Sequence, residues 1–265
     1  MMRASLFVIL LLLSLKSEGQ LIEGLIIGLI IGDTKNDDEL YSSFLRNDTS
    51  VVSDNLNKSY QEINVAVSKD RTNPKLYLKR AYVKRKSGQN AAAMIDLNKA
   101  YDLGKELHYA QTFLDSISLE RCITGVNIGR REVGQCFDSY LIKHSDNRKA
   151  LFYKALYYYC FDVEKKDKRF THAIQGFNEV LEVDSNNLDA KLFIAFSYHR
   201  LKDYQSAIKV NTEIIHKYPS CGTAYLQRGK AYLEVDNAER ACADFKSAVN
   251  LGVGATKGLL RDYCK

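Results

Sequence analysis

The feature of this 265-residue chain that most constrains its fold is a repeat with a period of 34 residues. Three pairs of residues are 34 positions apart: Ala195 and Gly229, Tyr198 and Tyr232, and Ala207 and Ala241. A small residue lets two antiparallel helices approach closely, and an aromatic residue fills the space beside that contact. The period therefore predicts helix–turn–helix units that stack on their neighbours.

Four segments share this spacing of small and aromatic residues. They run from about Pro74 to Lys105, from about Arg148 onward, from Leu188 to Pro219 and from Gly222 to Val253. The last is the most regular, with Ala224 to Tyr232 followed by Ala241 to Phe245. This pattern resembles the tetratricopeptide repeat (TPR) family, in particular exported bacterial members. The resemblance covers about 190 of the 265 residues.

Two places depart from the regular repeat. Glu106–Asn147 is one repeat long with a few extra residues, and its two amphipathic stretches, Leu107–Leu119 and Glu132–His144, predict a diverged fifth unit. The unit that starts near Arg148 has its small residues 18 apart instead of 12. We therefore expect about six inserted residues in its turn, around Val163–Arg169.

The flanks of the repeats carry helices of their own. Ser53–Lys69 is expected to be a solitary helix that ends before Pro74, because the residue before a proline disfavours helical geometry. Thr256–Cys264 is expected to cap the last apolar face, as an open array requires. Together these features predict an all-α, right-handed α-solenoid of about five TPR-like hairpins with a C-terminal capping helix, occupying residues 53–265.

The repeat also predicts which small residues lie at the close contact inside each hairpin. The expected pairs are Ala81 with Ala93, Ala155 with Ala173, Ala195 with Ala207, and Gly229 with Ala241. Strands in this region, or a wide separation of these pairs, would contradict the assignment.

The N-terminus has the pattern of a secretion signal over residues 1–19. A basic start at Met1–Arg3 is followed by an apolar run twelve residues long, Ala4–Leu15, and by a polar stretch that ends in Gly19. An uncleaved anchor is the alternative. The pattern predicts export: to the periplasm or cell envelope in a bacterium, or to the secretory lumen or the extracellular space in a eukaryote.

Residues 20–52 form an apolar segment and a linker. In Leu21–Ile31 glycines recur every fourth residue, but the run is too short to span a bilayer as a helix. Three alternatives remain open: peripheral contact with a membrane, docking into the groove of the repeats, or a tail without defined structure.

Six cysteines, an even number, fit an oxidising compartment. A cap that folds back over the last hairpin would bring Cys242 close to Cys264, and Cys122 and Cys136 flank the turn of the diverged unit. We predict these two disulfides. Cys160 and Cys221 are expected to be buried and unpaired.

Motifs of catalysis and cofactor binding are absent from the sequence. It has no Gly-x-Ser-x-Gly elbow, His-Glu-x-x-His metal motif, phosphate-binding loop or dinucleotide fingerprint. We therefore expect no enzyme activity, no metal and no cofactor. The net charge of +6 is too diffuse to indicate nucleic-acid binding.

The TPR resemblance implies a non-catalytic scaffold or adaptor that binds a protein or peptide. A chaperone-like holder of apolar segments is the alternative, and an unrecognised hydrolase is a third possibility. In the family, the second, fifth, ninth and twelfth residues of each first helix line the binding groove. The corresponding residues are Lys75, Leu78, Tyr82 and Arg85; Lys149, Phe152, Leu156 and Tyr159; Asp189, Leu192, Phe196 and His199; and Thr223, Leu226, Lys230 and Leu233.

The composition of these groove positions indicates the kind of partner. The Lys and Asn clamp that some TPR proteins use for a terminal carboxylate is replaced by apolar and aromatic residues such as Leu78, Tyr82, Leu192 and Phe196. An open groove of this composition would bind a partner with an apolar segment. Alternatively, the same side chains pack on one another and fill the groove.

Overall fold

The computed structural model describes residues 49–130, 132–161, 166–253 and 256–264. Within these ranges it contains twelve α-helices and no strand. The helices are α1 (Thr49–Lys69), α2 (Pro74–Lys86), α3 (Asn90–Glu106), α4 (Gln111–Asn127), α5 (Val133–Leu141), α6 (Arg148–Cys160), α7 (Lys166–Val183), α8 (Leu188–Arg200), α9 (Tyr204–Lys217), α10 (Gly222–Glu234), α11 (Ala238–Asn250) and α12 (Thr256–Tyr263). The all-α fold class predicted from the sequence is confirmed.

Short polar residues determine where many of these helices begin. Side-chain oxygens accept hydrogen bonds from backbone N–H groups two or three residues further on, at Asn73, Asn147, Asn187, Asp203 and Asn237. Such caps satisfy donors that the first turn of a helix leaves unpaired. Lys202 and Asp236, 34 residues apart, both adopt positive φ angles of 62° and 57° in the turns that follow α8 and α10. The repeat is therefore present in the backbone as well as in the sequence.

The chain divides into two compact modules: a first module, Ser50–Lys202, and a second module that includes Asp203–Lys265. In the first module, α2 pairs with α3, α4 with α5, and α6 with α7. The core of its first hairpin contains the predicted pair Ala81 and Ala93, together with Tyr77, Leu97 and Ile117.

The hairpin of α6 and α7 differs from the expectation in the placement of its extra residues. Helix α7 begins at Lys166, so several residues of the expected insertion, Val163–Arg169, lengthen this helix rather than the turn. A Cβ atom added at Gly176 would lie 2.9 Å from the Cβ of Ala155. The helices are thus in close contact at Ala155 and Gly176, and Ala173 is buried about one turn earlier in α7.

The diverged segment forms a hairpin, with helix ends that differ from the amphipathic stretches. Helix α4 continues to Asn127, beyond the expected end at Leu119, because Ile123 and Val126 extend its buried apolar face. Helix α5 is short and ends at Leu141. The second helix of this hairpin therefore has nine residues, whereas α4 has 17.

The second module contains α9 to α12. Its core is built from α10 and α11, and Leu259 and Leu260 of the terminal helix α12 pack against it, which confirms the capping helix. A Cβ atom added at Gly229 would lie 2.6 Å from the ring of Phe245 and 3.2 Å from the backbone oxygen of Ala241. The predicted close contact of Gly229 and Ala241 is therefore present. Ala207 is buried in this module and Ala195 in the first module.

An arginine–aspartate pair with a spacing of 16 residues occurs in each module, and the sequence analysis missed both. In the first module, the guanidinium of Arg80 donates two hydrogen bonds to Asp96, of 2.8 and 2.7 Å. In the second module, Arg228 donates two hydrogen bonds of 2.8 Å to Asp244. Both carboxylates are buried. Each pair joins the two helices of one hairpin at the same repeat position.

Both predicted disulfides are present. The Cα atoms of Cys122 and Cys136 are 5.8 Å apart, and this bridge joins α4 to α5. The Cα atoms of Cys242 and Cys264 are 5.5 Å apart, and this bridge ties the end of the chain to α11. Cys160 and Cys221 belong to neither bridge, and both are half-buried rather than fully buried as expected.

Removing the first bridge with Cys122→Ala and Cys136→Ala together should lower the free energy of unfolding of the first module by about 3 kcal/mol. The bridge closes a loop with a sequence separation of 14, which restricts the unfolded chain. Urea unfolding under non-reducing conditions measures the change. Cys160→Ala is the control, since it removes a thiol but no bridge. Equal stability of the double variant and the control would contradict the expectation.

The predicted signal peptide, residues 1–19, and the apolar segment Leu21–Ile31 lie outside the described residues. None of the helices in the described ranges is long and apolar enough to cross a membrane.

Candidate binding groove

The first helix of the first hairpin, α2, has groove positions of graded exposure. Lys75 is exposed, Leu78 and Tyr82 are half-buried, and Arg85 is buried. The face of Tyr82 receives two cations, with Lys86 Nζ 4.8 Å and the Arg85 guanidinium carbon 5.7 Å from the ring centroid. This part of the groove is therefore aromatic and basic.

The apolar and aromatic groove candidates of α6 and α8 pack on one another inside the first module. Phe193 is at the centre of an aromatic cluster, with ring centroids 5.0 Å from Phe177 and Tyr159, 5.9 Å from Phe196 and 6.1 Å from Phe152. Two further groove candidates, Leu156 and Leu192, are at most 2% exposed. At these positions the structure corresponds to the filled alternative, because the side chains contact one another rather than an open surface.

At the end of α6, burial raises the pKa values of two side chains. Burial raises the pKa of Tyr159 to about 12, and it raises the pKa of the Cys160 thiol to about 12. Arg169 lowers the pKa of Cys160 but offsets only part of this effect. The thiol therefore stays protonated at neutral pH and does not supply a thiolate nucleophile. His199, the groove candidate at the end of α8, is half-buried.

An ionic cluster joins the first helices of three successive hairpins, α2, α4 and α6. Glu120 lies between two cations, with one carboxylate oxygen 2.8 Å from Arg85 Nη2 and the other 2.8 Å from Lys149 Nζ. The Nη1 atom of Arg85 is buried and has no hydrogen-bond partner among the described residues. Burial raises the pKa of Tyr153 beside this cluster, and the charges of Arg85 and Lys149 partly oppose the increase. Two cations and one carboxylate give the cluster a net positive charge.

Glu120 contacts two of the groove candidates, and the sequence analysis did not single it out. It lies in the diverged hairpin, where no regular spacing of small and aromatic residues assigned groove positions. The groove positions Arg85 and Lys149 had been assigned in the neighbouring hairpins, and the carboxylate of Glu120 connects them. Glu120 lies one residue beyond the amphipathic stretch Leu107–Leu119, so no sequence pattern indicated it.

The groove candidates of the second module lie on α10. Leu226 and Thr223 are buried, whereas Lys230 and Leu233 are half-buried. Leu226 belongs to the core of α10 and α11, and Leu233 packs at the edge of that core. The apolar candidates of this helix therefore contribute to the core of the module.

Paired helices with small residues at their contacts, asparagine caps at repeated positions and a terminal capping helix define a protein of the tetratricopeptide-repeat fold. No protein-family model matches the sequence, and no curated protein is significantly similar to it. The chain is therefore compared with solved structures.

The fold resembles several solved helical-repeat proteins. The crystal structure of the APC/C hetero-tetramer Cut9–Hcn1 has a TM-score of 0.60 at 12% sequence identity, and the alignment covers 81% of this chain and 40% of that chain. MamA has a TM-score of 0.52 at 16% identity, covering 72% of this chain and 96% of MamA. YrrB, a TPR protein with an unusual peptide-binding site, has a TM-score of 0.51 at 13% identity, covering 75% and 97%.

Proposed function

We propose that this protein is a non-catalytic scaffold that binds a segment of another protein or a peptide along α2, α4 and α6. The observation that carries the proposal is the cluster of Arg85, Glu120 and Lys149, which joins three first helices, with the half-buried Leu78 and Tyr82 on the same helix as Arg85. The partner segment combines an acidic group with an apolar side chain. YrrB, of similar fold, has a peptide-binding site, which supports this class of function.

The charge of the cluster favours an acidic group in the partner. Among the described residues Glu120 contacts both cations, and the Lys149 side chain is 24% exposed and therefore reachable from solvent. An ammonium group has three donors and a guanidinium has five, so both cations can bind more than one oxygen. A carboxylate of the partner would reach the exposed part of Lys149 and add a charge-assisted hydrogen bond there.

The packing of the groove limits the apolar part of the partner segment. Phe152, Phe196 and their neighbours are occupied in the aromatic cluster, so a long apolar strand would have to displace them. Leu78 and Tyr82 remain half-buried and can contact one or two apolar side chains. This arrangement favours a specific adaptor over a chaperone-like holder, which needs an extended apolar surface.

We place this scaffold in an exported compartment. Disulfides persist in oxidising environments, and the chain has two, Cys122–Cys136 and Cys242–Cys264. The pattern of residues 1–19 supports the same compartment. Membrane contact through Leu21–Ile31 remains a proposal, which fractionation of the full chain with and without this segment would test.

Lys149→Gln should weaken binding of an acidic peptide about tenfold, because one charge-assisted hydrogen bond is lost. The full chain is first used to select binders from a random nonapeptide library. The strongest binders are then measured by fluorescence anisotropy, each beside a version with its acidic residues changed to amides. Enrichment of acidic residues together with an apolar residue is the expected result.

Lys154→Gln is the matched control for this experiment. Lys154 lies on the same helix, its side chain is equally exposed at 24%, and it pairs with Asp138 outside the cluster. The control variant should bind the selected peptides as the unaltered protein does. Selected peptides without acidic residues, or equal losses in Lys149→Gln and Lys154→Gln, would contradict the proposed site.

A further inference from the structure

A cavity of about 390 Å³ lies in the first module between α3, α4 and α5, and none of its residues belongs to the Arg85–Glu120–Lys149 cluster. The short helix α5 borders it, followed by Lys143 and His144. The ionisable groups of its wall are Tyr101, Asp115, Arg121, Arg130, Tyr140, Lys143 and His144. A volume of this size accommodates a small organic molecule.

The wall carries an excess of positive charge. Arg121, Arg130 and Lys143 are permanent cations and Asp115 is the carboxylate, so the net charge is three minus one, or +2, when His144 is neutral. None of the three cations forms an ion pair within the described ranges, whereas Arg80, Arg85, Lys149 and Arg228 all contact carboxylates. Three cations without carboxylate partners therefore converge on one concavity.

The carboxylate in the wall is already engaged by its neighbours. Asp115 accepts a hydrogen bond of 2.8 Å from Gln111 and lies 3.1 Å from His144 Nε2. The hydrogen bond from Gln111 keeps the pKa of Asp115 below its usual value, together with the hydrogen bond and charge of His144 and the charge of Lys143. Asp115 thus stays ionised at neutral pH and holds His144, while Arg121 and Arg130 form no ion pair among the described residues.

Other contacts hold parts of the wall in position. The Arg121 guanidinium lies 4.9 Å from the centroid of the Tyr101 ring, and the rings of Tyr140 and His144 are 4.5 Å apart. The disulfide of Cys122 and Cys136 also lines the cavity and ties α4 to α5. The cavity is thus bounded by groups whose positions are already restricted, which lowers the cost of ordering them around a ligand.

We propose that this cavity binds a small molecule that carries a phosphate monoester. A phosphate monoester is close to a dianion at neutral pH, which matches the net charge of +2. The planar forks of Arg121 and Arg130 fit two phosphate oxygens each, and Lys143 supplies a mobile point charge. The rest of the molecule occupies the space beside Tyr101 and Met94. This ligand site is independent of the peptide site proposed above.

Isothermal titration calorimetry of the full chain with phenyl phosphate tests the proposal. Phenyl phosphate should bind, whereas phenol, which lacks the phosphate, should not. Phthalate has two carboxylates on the same ring and should bind about tenfold more weakly than phenyl phosphate, because the phosphate group presents three oxygens to the two guanidinium forks. Phenol binding as tightly as phenyl phosphate would overturn the proposal, and so would equal affinity for phthalate.

Variants locate the binding site. Arg121→Gln, Arg130→Gln and Lys143→Gln should each weaken phenyl phosphate binding about tenfold or more, because each removes one cation that contacts the phosphate. Lys99→Gln removes the same charge from an exposed position of α3 outside the cavity and should leave the affinity unchanged. Arg130 and Lys143 are exposed, so their variants retain the fold even if Arg121→Gln does not. Equal losses in Lys99→Gln and Lys143→Gln would show that the effect is net charge alone and overturn the site.

The Lys149→Gln variant distinguishes the two proposed sites. It should bind phenyl phosphate as the unaltered protein does, although it loses affinity for acidic peptides. A loss of phenyl phosphate binding in Lys149→Gln would place the anion in the groove and overturn the cavity as its site.

Discussion

Asp244→Ala should lower the free energy of unfolding of the second module by about 3–5 kcal/mol, because it leaves a largely buried guanidinium without its partner. Asp244 accepts two hydrogen bonds from Arg228, and the side chains of Asp244 and Arg228 are 7% and 17% exposed. Arg228 has a further contact of 3.1 Å with the hydroxyl of Thr212, which cannot replace a carboxylate. The loss should therefore be large for a single substitution.

Unfolding of the second module is measured by hydrogen exchange of backbone amides in α10 and α11. This local measurement is used because the two modules need not unfold in one step. Replacing both partners, with Arg228→Met and Asp244→Leu, should restore most of the stability, because an apolar pair needs no charge compensation. If the double variant restores the stability, the effect of Asp244→Ala comes from the unpaired charge and not from lost packing.

Asp262→Ala is the matched control for Asp244→Ala. Asp262 also pairs with an arginine, Arg261, but both side chains are more than half exposed. Water and salt screen such a pair, so its removal should not change the exchange rates measurably. Similar effects of Asp244→Ala and Asp262→Ala would mean that the buried pair contributes no more than an exposed one.

Phe193→Ala should lower the free energy of unfolding of the first module by about 3–5 kcal/mol. Phe193 is 2% exposed and contacts the rings of four other aromatic residues in α6, α7 and α8. Truncation to alanine removes these contacts and leaves a cavity that rigid neighbours fill only in part. Urea unfolding followed by tyrosine fluorescence measures the change.

Phe193→Leu keeps much of the volume and should cost less than about 1.5 kcal/mol. Ile95→Ala, at a position that is 69% exposed, is the control and should change stability by less than about 0.5 kcal/mol. If Phe193→Ala had no more effect than Ile95→Ala, the aromatic cluster would not support the module. The alternative in which these side chains line an open groove would then be favoured.

The sequence by itself determined the parts of the molecule that depend on local chemistry and on the repeat. Asparagine and aspartate caps start helices wherever they precede a helical run, independently of what packs above them. Small residues such as Ala81, Ala93 and Gly229 predicted contacts within hairpins, where chain connectivity already makes two helices neighbours. Both disulfides followed from the same proximity.

Only the tertiary structure decided which side chains remain available to a partner. Phe152 and Phe196 occupy groove positions, yet contacts between hairpins bury them in the cluster around Phe193. Glu120 became recognisable only when the fold placed it between Arg85 and Lys149, which are 35 residues before and 29 residues after it. The physical reason is that a period specifies the face on which a residue lies. Whether a neighbouring helix covers that face depends on side-chain volumes and charges across hairpins that are distant in sequence.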